Sequence, residues 1–170
     1  MNNKGMSHFG LMTHDIDETI AFYTEVLGFE PIAYYVREIG EGHLRQVFFD
    51  LGNGQSLEFA QSHNVPGIKD EFDAGINEGL GIDPAIGIGF IHFAFRVDSM
   101  EELNSKQAGL EKNGVAVVGP LDLDWMQSIY FADPNGVQLE YAYINRPVPG
   151  EEYMSPIRSE TWQRLRGVQG

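Results

Sequence analysis

Four side chains of this 170-residue sequence stand at duplicated positions and share one chemistry: His8, Glu58, His92 and Glu140. His92 follows His8 by 84 positions and Glu140 follows Glu58 by 82, so each half of the chain carries one imidazole and one carboxylate in the same register. Imidazole nitrogen and carboxylate oxygen suit a divalent Fe, Ni, Co, Mn or Zn ion, and two carboxylates neutralise its charge. A carboxylate flanked by Leu57 and Phe59, or by Leu139 and Tyr141, is costly to bury without such a partner. The chain has no cysteine, which removes thiolate sites, disulfides and cysteine nucleophiles and leaves His, Asp and Glu to hold any metal. One divalent ion for two copies of a module is the resulting expectation.

The elements that must position these residues repeat with them. Asn53-Gly54-Gln55-Ser56-Leu57-Glu58-Phe59-Ala60 aligns without a gap on Asn135-Gly136-Val137-Gln138-Leu139-Glu140-Tyr141-Ala142, and His8-Phe9-Gly10-Leu11 corresponds to His92-Phe93-Ala94-Phe95. Register held over a whole module argues for duplication. Alternation from Ser7 to Thr13 predicts a strand with Phe9 and Leu11 on one face and His8 on the other. Asp15 as N-cap, Ile16, Ile20, Tyr23 and Leu27 at helical spacing, and Gly28 as stop predict a helix covering the apolar face. Three further strands follow, near 30–38, 46–51 and 56–61, with Asn53-Gly54 as a hairpin turn. The second copy predicts strand 90–97, helix 99–112, strands near 115–118 and 128–131, the turn Asp133-Pro134-Asn135-Gly136, and strand 137–143. The expected fold is α+β: two paired βαβββ modules forming a cupped mixed sheet with helices on the outer face and all four candidate ligands on the other. A single domain over 1–170 is expected, with module one at 7–62, an insertion at 63–89, module two at 90–143 and a tail at 144–170.

Composition narrows the partners. Eleven Lys and Arg against 25 Asp and Glu give a formal charge of −14, which opposes binding to a phosphate backbone, so no nucleic acid is expected. No apolar run of membrane-spanning length and no signal-peptide pattern is read, so the expectation is a cytoplasmic protein with a small-molecule substrate and no membrane contact. The insertion is rich in Gly, Pro and acidic residues; it is either a solvated connector or a flap with Phe72, Ile76 and Leu80 as apolar contacts. In the tail, Trp162 and Leu165 share a helical face suited to packing on this subunit or a partner. His14, His43 and His63 read as packed or solvent-facing.

His8, the run Phe22-Tyr23-Thr24-Glu25-Val26-Leu27-Gly28-Phe29, Leu57-Glu58, His92, and Ser128 to Gly136 followed by Leu139-Glu140 together resemble the vicinal oxygen chelate superfamily. That superfamily includes glyoxalase I, extradiol ring-cleaving dioxygenases, methylmalonyl-CoA epimerase and the fosfomycin and bleomycin resistance proteins. The resemblance covers residues 7–143 and implies a homodimer and metal positions at His8, Glu58, His92 and Glu140. It implies glyoxalase-like proton transfer, since glyoxalase I fills its four positions in this His, Glu, His, Glu order, with Glu58 or Glu140 as the base. Met12 and Ser62 stand where that enzyme has its glutathione-binding Arg and Asn, which argues against glutathione. The alternative is an Fe(II) extradiol dioxygenase with His8, His92 and Glu140 as its triad and Tyr130, ten residues before Glu140, as its active-site tyrosine. Against it, the segment Leu121 to Met126 lacks that family's acid-base His, a role Asp122 or Asp124 would have to fill, and Phe48 stands where Tyr130 does in the first copy. A third reading is a non-catalytic small-molecule binder.

Overall fold

The computed structural model describes residues 5–68 and 91–146, together with the backbone of 82–83 and 88–89. The chain runs β1 (His8–Met12), α1 (Ile16–Ala21), a π-helical turn over Phe22–Val26, β2 (Pro31–Ile39), β3 (Gly42–Gly52), β4 (Gln55–His63), β5 (Ile82–Asp83), β6 (Ile88–Gly89), β7 (Phe93–Val97), α2 (Met100–Lys112), β8 (Val118–Asp122), β9 (Met126–Ala132) and β10 (Gln138–Ile144). Each module makes a four-stranded mixed sheet, ordered β1-β4-β3-β2 and β7-β10-β9-β8. The duplicated βαβββ order expected from the sequence is therefore the observed one. The cup is built from two sheets, with no ladder joining β1 to β7, and β5 and β6 pair with each other inside the insertion. Phe72, Ile76, Leu80, Trp162 and Leu165 lie outside the described residues.

Local chemistry accounts for the elements that hold the site. Asp15 caps α1 by accepting from the backbone N–H groups of Asp17 and Glu18. The helix then widens: Leu27 N donates to Phe22 O, and Gly28 at φ +77° turns the chain toward β2. Ser99 caps α2 by accepting from Glu102 N, while the Glu102 carboxylate accepts from Asp98 N. Asn53 and Gly54 both take positive φ, the geometry of a tight hairpin turn between β3 and β4. Among the described residues no helix is long and apolar enough to cross a membrane.

One apolar core spans both modules, with Tyr23, Phe49, Phe59, Leu103, Ile129 and Leu139 fully buried in it. The edge strands β1 and β7 meet through the side chains that alternate with the histidines: Phe9 and Phe93 pack edge to face at 5.1 Å, and Phe29 meets Phe95 at 5.0 Å. A buried polar network fastens the same junction. Thr13 Oγ1 donates to Asn135 Oδ1 at 2.8 Å, and Tyr23 O–H donates to Asp133 Oδ2 at 3.3 Å.

Candidate metal centre

Strand register builds the same half-site twice. In the first module β1 runs parallel to β4 with Gly10 beside Glu58, and β3 runs antiparallel to it with Phe48 opposite Glu58. In the second module Ala94 stands beside Glu140 and Tyr130 opposite it. Alternation then puts each histidine on the face of its module's glutamate.

Within module one, His8 Nε2 lies 3.9 Å from Glu58 Oε2, with the His8 side chain half exposed. Gln46 Nε2 donates a short hydrogen bond to Glu58 Oε1, and Ser7 Oγ lies 3.0 Å from His8 Nδ1. A Cβ on Gly10 would stand 3.3 Å from Glu58 Oε2, so the absence of a side chain there makes room for the carboxylate. Within module two, His92 Nε2 lies 2.9 Å from Glu140 Oε2, and the Glu140 side chain is only 2% exposed. Ser128 Oγ donates to Glu140 Oε1 at 2.5 Å. The His92 and Tyr130 rings meet edge to face at 5.7 Å, as His8 and Phe48 do at 6.3 Å. Burial, and after it the charge of Glu140, push the Tyr130 hydroxyl up to about 12, so it stays protonated through the neutral range.

Of the residues read from the sequence, the structure brings His8 to Glu58, and His92 to Glu140 and Tyr130. It does not bring the two pairs to each other: among the described residues no group of three or more His, Asp or Glu is placed to share an ion. The reason lies in the alternation, since the modules touch through Phe9 and Phe93 and the histidines point away from that contact. Each pair has the donor chemistry of half a coordination sphere. A carboxylate as deeply buried as that of Glu140 needs polar partners, and here the His92 ring and the Ser128 hydroxyl supply them.

Gln46 and Ser128 are the residues the sequence reading passed over. Each stands 12 positions before its glutamate and hydrogen-bonds to it. The common offset was the signal available, hidden because the two residue types differ. Asp124 ion-pairs with Arg146, and Asp122 accepts from Asp124 N at 2.9 Å, so both belong to the β8–β9 turn. His14 pairs with Glu18, and the His43 and His63 rings lie 5.2 Å apart across β3 and β4.

The model of the Glyoxalase/Bleomycin resistance protein/Dioxygenase superfamily matches residues 5–141. A 3-methylcatechol 2,3-dioxygenase of Pseudomonas putida is 28% identical over 148 residues, covering 86% of this chain and 44% of the relative. A lactoylglutathione lyase of Schizosaccharomyces pombe is 31% identical over 152 residues, covering 82% of this chain and 47% of the relative. The chain thus spans a little under half the length of either curated relative. A solved glyoxylase/bleomycin resistance protein/dioxygenase domain from Frankia sp. EAN1pec shares the fold at a TM-score of 0.63 and 24% identity, covering 84% of this chain and 99% of that one.

Proposed function

Because the chain belongs to the Glyoxalase/Bleomycin resistance protein/Dioxygenase superfamily, we propose that it is a divalent-metal enzyme that takes a small substrate with two neighbouring oxygens and shifts a proton on it, as a glyoxalase-type lyase or isomerase. The observation that carries this reading is the duplicated His–Glu pair, with both carboxylates anchored by a neighbouring strand. One chain presents two halves, so the complete site is taken to form where two copies meet, the first module's pair of one protomer facing the second module's pair of its partner. When bound there, a divalent ion would polarise the paired substrate oxygens as a Lewis acid.

The two carboxylates suit different tasks. Glu140, buried against His92 and Ser128, is fixed in place and serves as a ligand. Glu58 is the more exposed and is held by a neutral amide, so it is the one to take up and return a proton. The protonated Tyr130 hydroxyl beside His92 supplies a hydrogen bond to a substrate oxygen.

The test is anaerobic purification with elemental analysis, followed by dioxygen uptake with a panel of catechols. Stoichiometric metal in the wild type, its loss in Glu140→Gln, and no dioxygen uptake are expected. Wild-type metal content in Glu140→Gln would overturn the coordination proposed. A second reading, Fe(II)-dependent extradiol ring cleavage, draws on Tyr130 lying against His92 and opposite Glu140, and on the 28% identity to a catechol dioxygenase. Catechol-dependent uptake with stoichiometric iron would select it and make Glu58 dispensable for metal. Absence of metal even after reconstitution would leave a small-molecule binder.

A further inference from the structure

Each glutamate of the two pairs has one oxygen engaged and the other on offer. In module one, Gln46 Nε2 donates to Glu58 Oε1, and Oε2 is the atom that faces His8 Nε2. In module two, Ser128 Oγ donates to Glu140 Oε1, and Oε2 faces His92 Nε2. In both halves the oxygen that accepts the hydrogen bond is not the one that faces the imidazole. Strand register explains the match. Phe48 and Tyr130 stand opposite the two glutamates, and Gln46 and Ser128 lie two residues before them, paired with Ala60 and Ala142. Each donor is therefore the diagonal cross-strand neighbour of its glutamate, on the same face of the sheet.

A carboxylate can hold a cation with one oxygen or with both. Closing both oxygens of Glu140 on an ion means releasing Ser128, and with Glu140 at 1% and Ser128 at 0% exposure no bulk solvent stands ready to replace that bond. At Glu58, room is made on the oxygen that is offered: a Cβ at residue 10 would stand 3.3 Å from Oε2, the atom facing His8.

We propose that Gln46 and Ser128 are positioning residues that hold each glutamate to one-oxygen coordination of the divalent ion, an inference that rests on the shared metal site proposed above. Each pair then supplies one nitrogen and one oxygen. An octahedral ion so held keeps its two remaining positions for the neighbouring oxygens of the substrate.

The test uses the full chain loaded with Co(II) and follows binding of acetohydroxamate, a small chelator with two neighbouring oxygens, by the visible absorption of the cobalt. One cobalt per chain and one acetohydroxamate per cobalt are expected in the wild type. Gln46→Met and Ser128→Ala each free a carboxylate oxygen to close on the ion. Both should keep cobalt affinity within severalfold of the wild type and bind acetohydroxamate about tenfold more weakly, the lower end of the effect of removing a partner from a metal ligand. Ser128→Thr, which keeps the hydroxyl, should restore chelator binding. A merely structural role would lower cobalt affinity and leave chelator binding to the loaded protein unchanged, and that result would overturn the inference. So would acetohydroxamate binding at wild-type strength in both variants with cobalt retained, which leaves the metal site itself standing. Absence of cobalt from the wild type would overturn the shared site and this inference with it. Gln46 is only half-buried, so Gln46→Met keeps the test open even if Ser128→Ala fails to fold.

Discussion

Tyr130 and Phe48 occupy the same place in the two half-sites, each opposite its glutamate, and differ by one oxygen. That oxygen makes the second half-site the more polar one, and its proton is held firmly. Burial raises the Tyr130 hydroxyl to about 12 from an ordinary 10.0, with the Glu140 charge adding to it. A group whose folded pKa is raised contributes stability fully below the unfolded value and loses it as pH climbs through the folded one. Tyr130 therefore stabilises the fold up to pH 10 and withdraws that support between 10 and about 12. In a tyrosinate absorbance titration, the difference between wild type and Tyr130→Phe should show a midpoint near 12, falling in Glu140→Gln; a midpoint near 10 would contradict the assigned environment. His8, Glu58, His92 and Glu140 were legible because identical residue types recur in register. Gln46 and Ser128 were not, because a hydrogen-bond donor to a carboxylate can be an amide or a hydroxyl, and the repeat conserves the task while changing the residue.

Strand pairing turns those residue types into geometry, and Gly10 shows how tightly. Opposite Glu58 in the parallel ladder, it leaves 3.3 Å where a Cβ would meet Oε2, whereas the second module has Ala94 at the equivalent position. Gly10→Ala should shift the Glu58 carboxylate by a few tenths of an ångström and lower metal affinity severalfold with little change in folding. Metal titration beside thermal unfolding checks this, and unchanged affinity would remove Glu58 from the site. At the module junction, Asn135 is buried and bonded to Thr13, Thr19 and Asp133. Asn135→Ala strands those polar groups and should cost roughly 2–3 kcal/mol in urea unfolding. The alternation that made the strands readable also foretold the helix faces. It did not foretell the widened turn at 22–26, which depends on a backbone bond from Leu27 N to Phe22 O. Nor did it place β8, expected near 115–118 and found at Val118–Asp122: Val115 N is still bonded back to Leu110 O, and pairing with β9 begins only at Val118.

At the scale of the whole molecule, each module carries one His–Glu pair, and with the modules packed through Phe9 and Phe93 the two pairs do not meet among the described residues. Sequence alone could not reveal that separation, because alternation fixes which face a residue takes within a sheet and says nothing of how two sheets are set side by side. In the two-fold dimer proposed above, an isologous contact would present each module to its opposite number and complete two sites at once. The most direct test is complementation between His8→Gln and His92→Gln, each of which damages both sites of its own dimer. After subunit exchange in an equal mixture, half the dimers are mixed, and each carries one site with every ligand intact. Elemental analysis should then recover about one quarter of the wild-type tightly bound metal, while neither variant alone retains it. Metal content of the mixture no higher than that of the separate variants, with subunit exchange demonstrated by mass-labelled chains, would contradict a site shared between two copies.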